Sequence, residues 1–308
     1  MRFTFLAVSC VVLAGALAGC FETVQIVTVN PDGSGKLAFE TQVSMPLDLM
    51  TGEDGKKPDP KEMSKKMLAE LLAKSKGVDA WSDLSCDVAK EGQIRTKGVA
   101  YFSDLSKVEV ESLVIKDSKW TKTDKGGVLE LVMDKKESPS KVEPKKLTPA
   151  EIAEQIKARR AQYQQTRPLT ASFMASLKID VTYILPGKVE EVSGFTKTET
   201  GGVRMVVEGK KMLELMDKVM ADDKLLTEAI VAGKDPIREG PGEQMVREGL
   251  FGTKGPVKAT VTGEMKPLFD YKAEMEKAKA AMPEMLKKLG VEMPASTPEK
   301  SAGASVEK

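Results

Sequence analysis

The chain contains no histidine, which removes the commonest general base and the commonest metal-ligating side chain of proteins. Serine-histidine-aspartate catalysis and histidine-based zinc sites are excluded on that ground alone. Net charge is nearly absent as well. The 47 basic residues are matched by 46 acidic ones, so there is no excess positive field to draw the phosphates of a nucleic acid. Glycine-rich phosphate motifs are missing: Gly201-Gly202 sits between strand-like segments, not ahead of a helix, and serves a turn. Long apolar runs are lacking too. The run from Phe3 to Leu17 falls short of the ~20 residues that a membrane helix needs.

What stands at the N-terminus is an address. Met1-Arg2, an apolar middle and the small residues of Leu17-Ala18-Gly19-Cys20 form the pattern of an export signal. Those last four residues resemble the lipobox of bacterial lipoproteins, in which the cysteine thiol receives a diacylglycerol and becomes the new N-terminus. The resemblance implies a signal peptide over 1–19, lipidation at Cys20, and an extracytoplasmic protein held on the cell envelope by its acyl chains. Two or three such chains, at ~0.8 kcal/mol per buried CH₂, exceed the two-signal threshold for stable anchoring. Phe21 in place of Asp after the cysteine favours the outer membrane if the cell is Gram-negative. Arg2 is the leader's one charge, so the mature chain balances its acids and bases. Cys10 leaves with the leader and Cys20 is acylated, which leaves Cys86 with no internal disulfide partner. Its alternation with Leu84 and Val88 predicts a buried core thiol.

The remaining pattern predicts an α+β fold in two domains, each an antiparallel β-sheet packed by amphipathic helices. The first spans 20–134, a charged linker covers 135–147, the second spans 148–293, and 294–308 form a disordered tail. In the first domain, β-branched residues on either side of Asn30-Pro31-Asp32-Gly33-Ser34-Gly35 predict a hairpin. Asp59-Pro60-Lys61-Glu62 caps a helix to about Ser75, with Met63, Met67 and Leu71 on one face. Alternation at Leu84/Cys86/Val88, Ile94/Thr96, Ala100/Phe102 and Leu129/Leu131/Met133, with turns at Glu91-Gly92 and Gly126-Gly127, predicts a meander.

The second domain opens with the cap Thr148-Pro149-Ala150-Glu151 and a helix through Ile152, Ile156 and Tyr163. A strand with one dry face is then expected from Phe173 to Leu185, the wet face carrying Lys178, Asp180 and Thr182. Strands near 189–192 and 203–207 complete its sheet. Helices over 210–221 and 222–232, a glycine- and proline-rich loop to Pro256, a strand over 257–262 and a Met-rich helix from about Phe269 to Leu289 follow.

Asp180-Val181-Thr182-Tyr183-Ile184-Leu185-Pro186-Gly187-Lys188-Val189, with Gly194 and Gly201-Gly202 downstream, resembles the extracytoplasmic domain of LppM-type actinobacterial lipoproteins. The turn over Val29–Gly35 is similar too. The resemblance implies an α+β envelope module with a binding or structural role toward lipid, without catalysis.

Candidate chemistries are few. Ser138–Lys141 and Ser305–Lys308 fit S-x-x-K, but both fall where flexibility is expected, whereas that chemistry needs a rigid helix. The Asn30–Gly35 oxygens resemble the start of a calcium loop, yet Thr41 stands at the twelfth position and Glu40 one place early, so a hairpin turn explains them better. Met212, Met216 and Met220 share a helix face, as do Met63 and Met67. Thioethers can select Cu(I), but Met at this spacing is also an ordinary core filler. Met275, Met282, Met285 and Leu289 form a face that covers a sheet or meets a partner or lipid. The expectation is thus a non-enzymatic envelope lipoprotein without metal or cofactor, whose partners are the membrane through its anchor and an envelope protein or apolar ligand. A carboxylate-only hydrolase and a Met-based copper protein are the alternatives.

Overall fold

The computed structural model describes residues 21–44, 59–89, 92–110, 113, 118–132, 147–233 and 242–292. The leader 1–19, Cys20, the linker through residue 146, both S-x-x-K segments and the tail 294–308 lie outside them. The fold is α+β. Its larger sheet has seven strands in the order β3-β4-β2-β1-β7-β10-β9: Ala80–Val88, Gln93–Phe102, Gly35–Ser44, Phe21–Val29, Lys178–Ile184, Val203–Glu208 and Thr196–Lys197. The smaller has four, β5-β6-β11-β8: Ser118–Thr123, Gly126–Leu131, Val257–Thr262 and Lys188–Ser193.

The expected split at 135–147 does not separate the sheets, and that reading is corrected. β1 pairs in parallel with β7 from the far side of the linker, and β6 pairs with β11. Hydrophobic alternation identifies strands but not their partners, and here each half supplies strands that only the other half can pair. Side chains of both sheets belong to one hydrophobic cluster, from Val27 and Leu37 to Leu129, Val181 and Ala259. The larger sheet is consequently mixed, not purely antiparallel. β5 and β6 leave the expected meander for the second sheet, and β8 leaves β7 for it as well. The chain crosses between sheets at Gly194, whose φ of +76° suits glycine, and Phe195 buries its ring edge-on to Tyr183.

Local signals hold where caps and turns dictate them. β1 and β2 form the hairpin, with Asn30 N–H donating to the Ser34 carbonyl. Asp59 caps α1 (Pro60–Lys74), and Thr148 and Glu151 form the reciprocal capping box of α2 (Pro149–Met174). Helix α2 overruns its expected end and takes in Pro168, so Phe173 and Met174 are buried helical residues and the strand begins only at Lys178. Alternate apolar residues over a few positions also fit the inner side of a helix, which explains the misreading. Helices α3 (Gly209–Ala221) and α4 (Asp223–Val231) form as expected. The loop before Pro256 instead contains α5 (Glu243–Phe251), which packs on α3 with Gly249 against Leu215. Helix α6 (Tyr271–Leu289) ends at Gly290 in the left-handed region. Among the described residues, no helix is long and apolar enough to cross a membrane.

Gly126 and Gly127 lie in β6, not in the turn, which is Asp124-Lys125. The Trp120 ring occupies the space above Gly127 that an added Cβ would need. The same indole donates to the Pro31 carbonyl at 3.3 Å and so ties the second sheet to the first hairpin. Gly127→Ala is expected to destabilise the protein by about 1–3 kcal/mol, the range for overpacking, read as a lower urea midpoint.

Candidate binding surfaces

Helix α6 is fastened at its start and opens a groove near its end. Asp270 accepts from Ala273 N–H, and Tyr271 donates to Asp79 at 2.6 Å. Burial, then the neighbouring Asp79, hold the Tyr271 phenol well above its usual range. Lys36 meets Glu274 at 2.7 Å and lies 4.3 Å from the centre of the Phe269 ring. One turn further, Ala278 packs with Ala80 and Tyr101 on the outer face of β3 and β4. Met282 and Leu286 then enter the main core, so α6 wraps edge strand β3 from its outer face into the interior.

Between this second half and β3 lies an apolar groove of about 390 Å³, lined by Leu84, Ala281, Met285 and Leu289 and rimmed by Glu284 and Lys288. Leu84 reaches it because of a bulge. The β3–β4 register shifts between Ser82 and Ser85, Asp83 takes a φ of +52°, and Leu84 lies over Gly98, where a Cβ would come within 2.6 Å of it. The Met-rich face is therefore divided. Met275 lies against the small outer cluster, Met282 is buried, and Met285 and Leu289 border the groove.

A second cleft, of about 710 Å³, lies beside the first hairpin turn and the approach to α6, with Lys122 and Lys272 among its walls. The turn's oxygens are committed to backbone. Asp32 accepts from Ser34 N–H and Oγ at 3.0 and 2.7 Å, and Asn30 accepts from Leu268 N–H at 2.9 Å. This is hairpin chemistry, as the residue pattern favoured. Among the described residues no group of three or more His, Cys, Asp or Glu is placed to hold a metal ion.

The remaining candidates are packing residues. Met220 and Met216 pack with Tyr163 and Leu226 between α2, α3 and α4, whereas Met212 joins the main core, as do Met63 and Met67. The three α3 sulfurs are thus shared between two cores. Cys86 is buried and accepts from Thr96 Oγ1 at 3.4 Å. Arg167 clasps Asp217 through two bonds of 2.7 Å, and Tyr163 donates to the same carboxylate.

Asp104, Glu151, Asp180 and Asp217 sit below the usual carboxylate range. The main causes are hydrogen bonds from Ser106, the Thr148 backbone, Arg204 and Arg167 respectively. A general acid needs the opposite shift.

The larger sheet's outer face departs from its expected wetness. Asp180 is buried there under a bidentate Arg204, and Glu22–Lys178 and Glu40–Arg95 also pair across strands. In the middle of β1 the usual order is reversed: Thr23 and Gln25 face the core fully buried beside Phe21, Val27 and Val29, while Val24 and Ile26 face outward at 40% and 42% exposure. Thr23 meets Thr41 at 3.1 Å, and Gln25 Nε2 donates to Thr23 at 3.5 Å. No protein-family model, curated protein or solved structure matches this chain.

The Asp180–Arg204 pair carries a pH signature. A folded-state carboxyl held below its unfolded value stabilises the fold above about pH 4 and loses that contribution as pH falls through the depressed value. Asp180→Asn is expected to lower urea stability at neutral pH, with the gap to the parent protein closing on acidification.

Proposed function

We propose that the protein is an envelope lipoprotein, anchored by acyl chains on Cys20, that binds an apolar ligand without catalysis. The groove between β3 and α6 carries this reading: it is an open trough of about 390 Å³ whose walls, Leu84, Ala281, Met285 and Leu289, are apolar, with Glu284 and Lys288 the charged residues beside them. Met285 supplies the adaptable, polarizable contact suited to flexible hydrocarbon. The sequence Leu17-Ala18-Gly19-Cys20 supports the anchor. The resemblance of Asp180–Val189 to LppM-type domains is in keeping with a binding role without catalysis.

Two features speak for binding over hydrolysis or copper handling. Asp32 and Asp270, the carboxylates lining the larger cleft, each hold a backbone N–H, and the α3 methionines are spent on packing.

Mature protein purified from membranes is expected to show an intact mass with a diacylglyceryl group on residue 20 and to yield a co-purifying lipid on extraction. Ala281→Glu, which sets a carboxylate in the apolar groove at a position exposed to solvent, is expected to reduce that lipid about tenfold or more while the thermal melt is retained. Absence of lipid from the parent protein sinks the ligand reading, and an unmodified residue 20 sinks the anchor.

A further inference from the structure

We propose that the open part of the larger sheet's outer face, centred on Val24 and Ile26, lies directly against the lipid surface. This rests on the anchoring at Cys20 proposed above. Phe21, the next residue, already belongs to β1, so no spacer separates anchor from fold. At about 3.3 Å per strand residue, Val24 stands about 13 Å and Ile26 about 20 Å along the chain from the acylated cysteine. The headgroup region of one leaflet is only about 5–8 Å deep. A strand rising upright from the membrane would carry both side chains into water, whereas one lying along the surface keeps them at headgroup level.

The middle of β1 favours the second arrangement. Its core face runs Phe21, Thr23, Gln25, Val27 and Val29, and its outer face Glu22, Val24, Ile26 and Thr28. Two adjacent β-branched apolar side chains on the open face, flanked by polar ones, suit a surface that meets headgroups and the start of the hydrocarbon. The charges beside them suit that setting. Glu22, Glu40 and Asp180 are neutralised by Lys178, Arg95 and Arg204 respectively, which lowers repulsion from anionic lipid. Helix α6 covers the β3–β4 end of this face, so the contact belongs to β1, β7 and β10.

The test uses the lipidated mature chain with Cys86→Ser, carrying Val24→Cys, Ile26→Cys or, for reference, Lys119→Cys on the exposed side of β5. Each is labelled with bimane and reconstituted in phosphatidylcholine–phosphatidylglycerol vesicles. The expected result is iodide quenching several-fold weaker at 24 and 26 than at 119, with stronger quenching there by nitroxide-labelled lipid. Equal iodide quenching at all three positions overturns the proposal. So does protection from iodide without quenching by the labelled lipid, since a second protein surface would then cover the face. Intact mass of the same samples separates the two readings. Acylated residue 20 with water-exposed positions 24 and 26 overturns the orientation alone, and a bare residue 20 brings down the anchor with it.

Discussion

The parallel pairing of β1 with β7 is the contact on which the rest of the architecture depends. It joins the first hairpin to a segment more than a hundred residues away, from Glu22 beside Lys178 to Thr28 beside Ile184. Without it the seven-stranded sheet becomes two smaller pieces, each with an open edge. Parallel neighbours need a long crossover, and this protein uses the intervening chain to build β2, α1, β3, β4, half of the smaller sheet and α2. The second sheet is in that sense a product of the first sheet's topology, and β11 and β8 complete it from the other direction.

Register within this sheet is held by polar atoms in an apolar layer. Thr23 lies opposite Thr41 across the β1–β2 pair, and their hydroxyls meet in the core. A slip of one residue would separate the hydroxyls and turn Phe21, Val27 and Val29 out of the core, with Glu22 and Thr28 sent inward. Apolar packing opposes that exchange at the two ends of β1. In its middle, where Val24 and Ile26 would replace Thr23 and Gln25, the buried hydroxyl contact opposes it, because a separated pair would leave polar groups without partners away from water. Ser118 and Tyr183 play a similar part between the sheets, their oxygens 2.6 Å apart.

Much of this was legible in the sequence, and the division follows physical range. Asp59, Thr148 and Glu151 announced helix starts because a cap acts on N–H groups two or three residues away. The Asn30–Gly35 turn was readable for the same reason. Strand partnership was not, since nothing local in β1 says that its second neighbour is β7. Helix α2 concealed its last turns behind Pro168 and a false alternation, and α5 lay inside a segment whose glycines and prolines suggested a loop. Of the groove, the sequence showed the helix side through Met285 and Leu289. It was silent on Leu84, whose reach comes from the bulge at Asp83 and the vacancy above Gly98. Asp180 was misjudged as wet because its cover, Arg204, comes from a strand that pairing alone brings alongside.

The central place of β1 also sets a timetable for folding. A chain made or exported from its amino end presents β1 and β2 first, while β7 emerges only after α2. Closing so long a loop is entropically slow compared with local hairpins and helices. In the interval, one edge of β1 displays unpaired N–H and C=O groups next to Val24 and Ile26, a template for wrong strands from other molecules. Assembly is therefore most vulnerable to aggregation before β7 is available, and a holding chaperone that recognises extended apolar segments would act most usefully on this first strand.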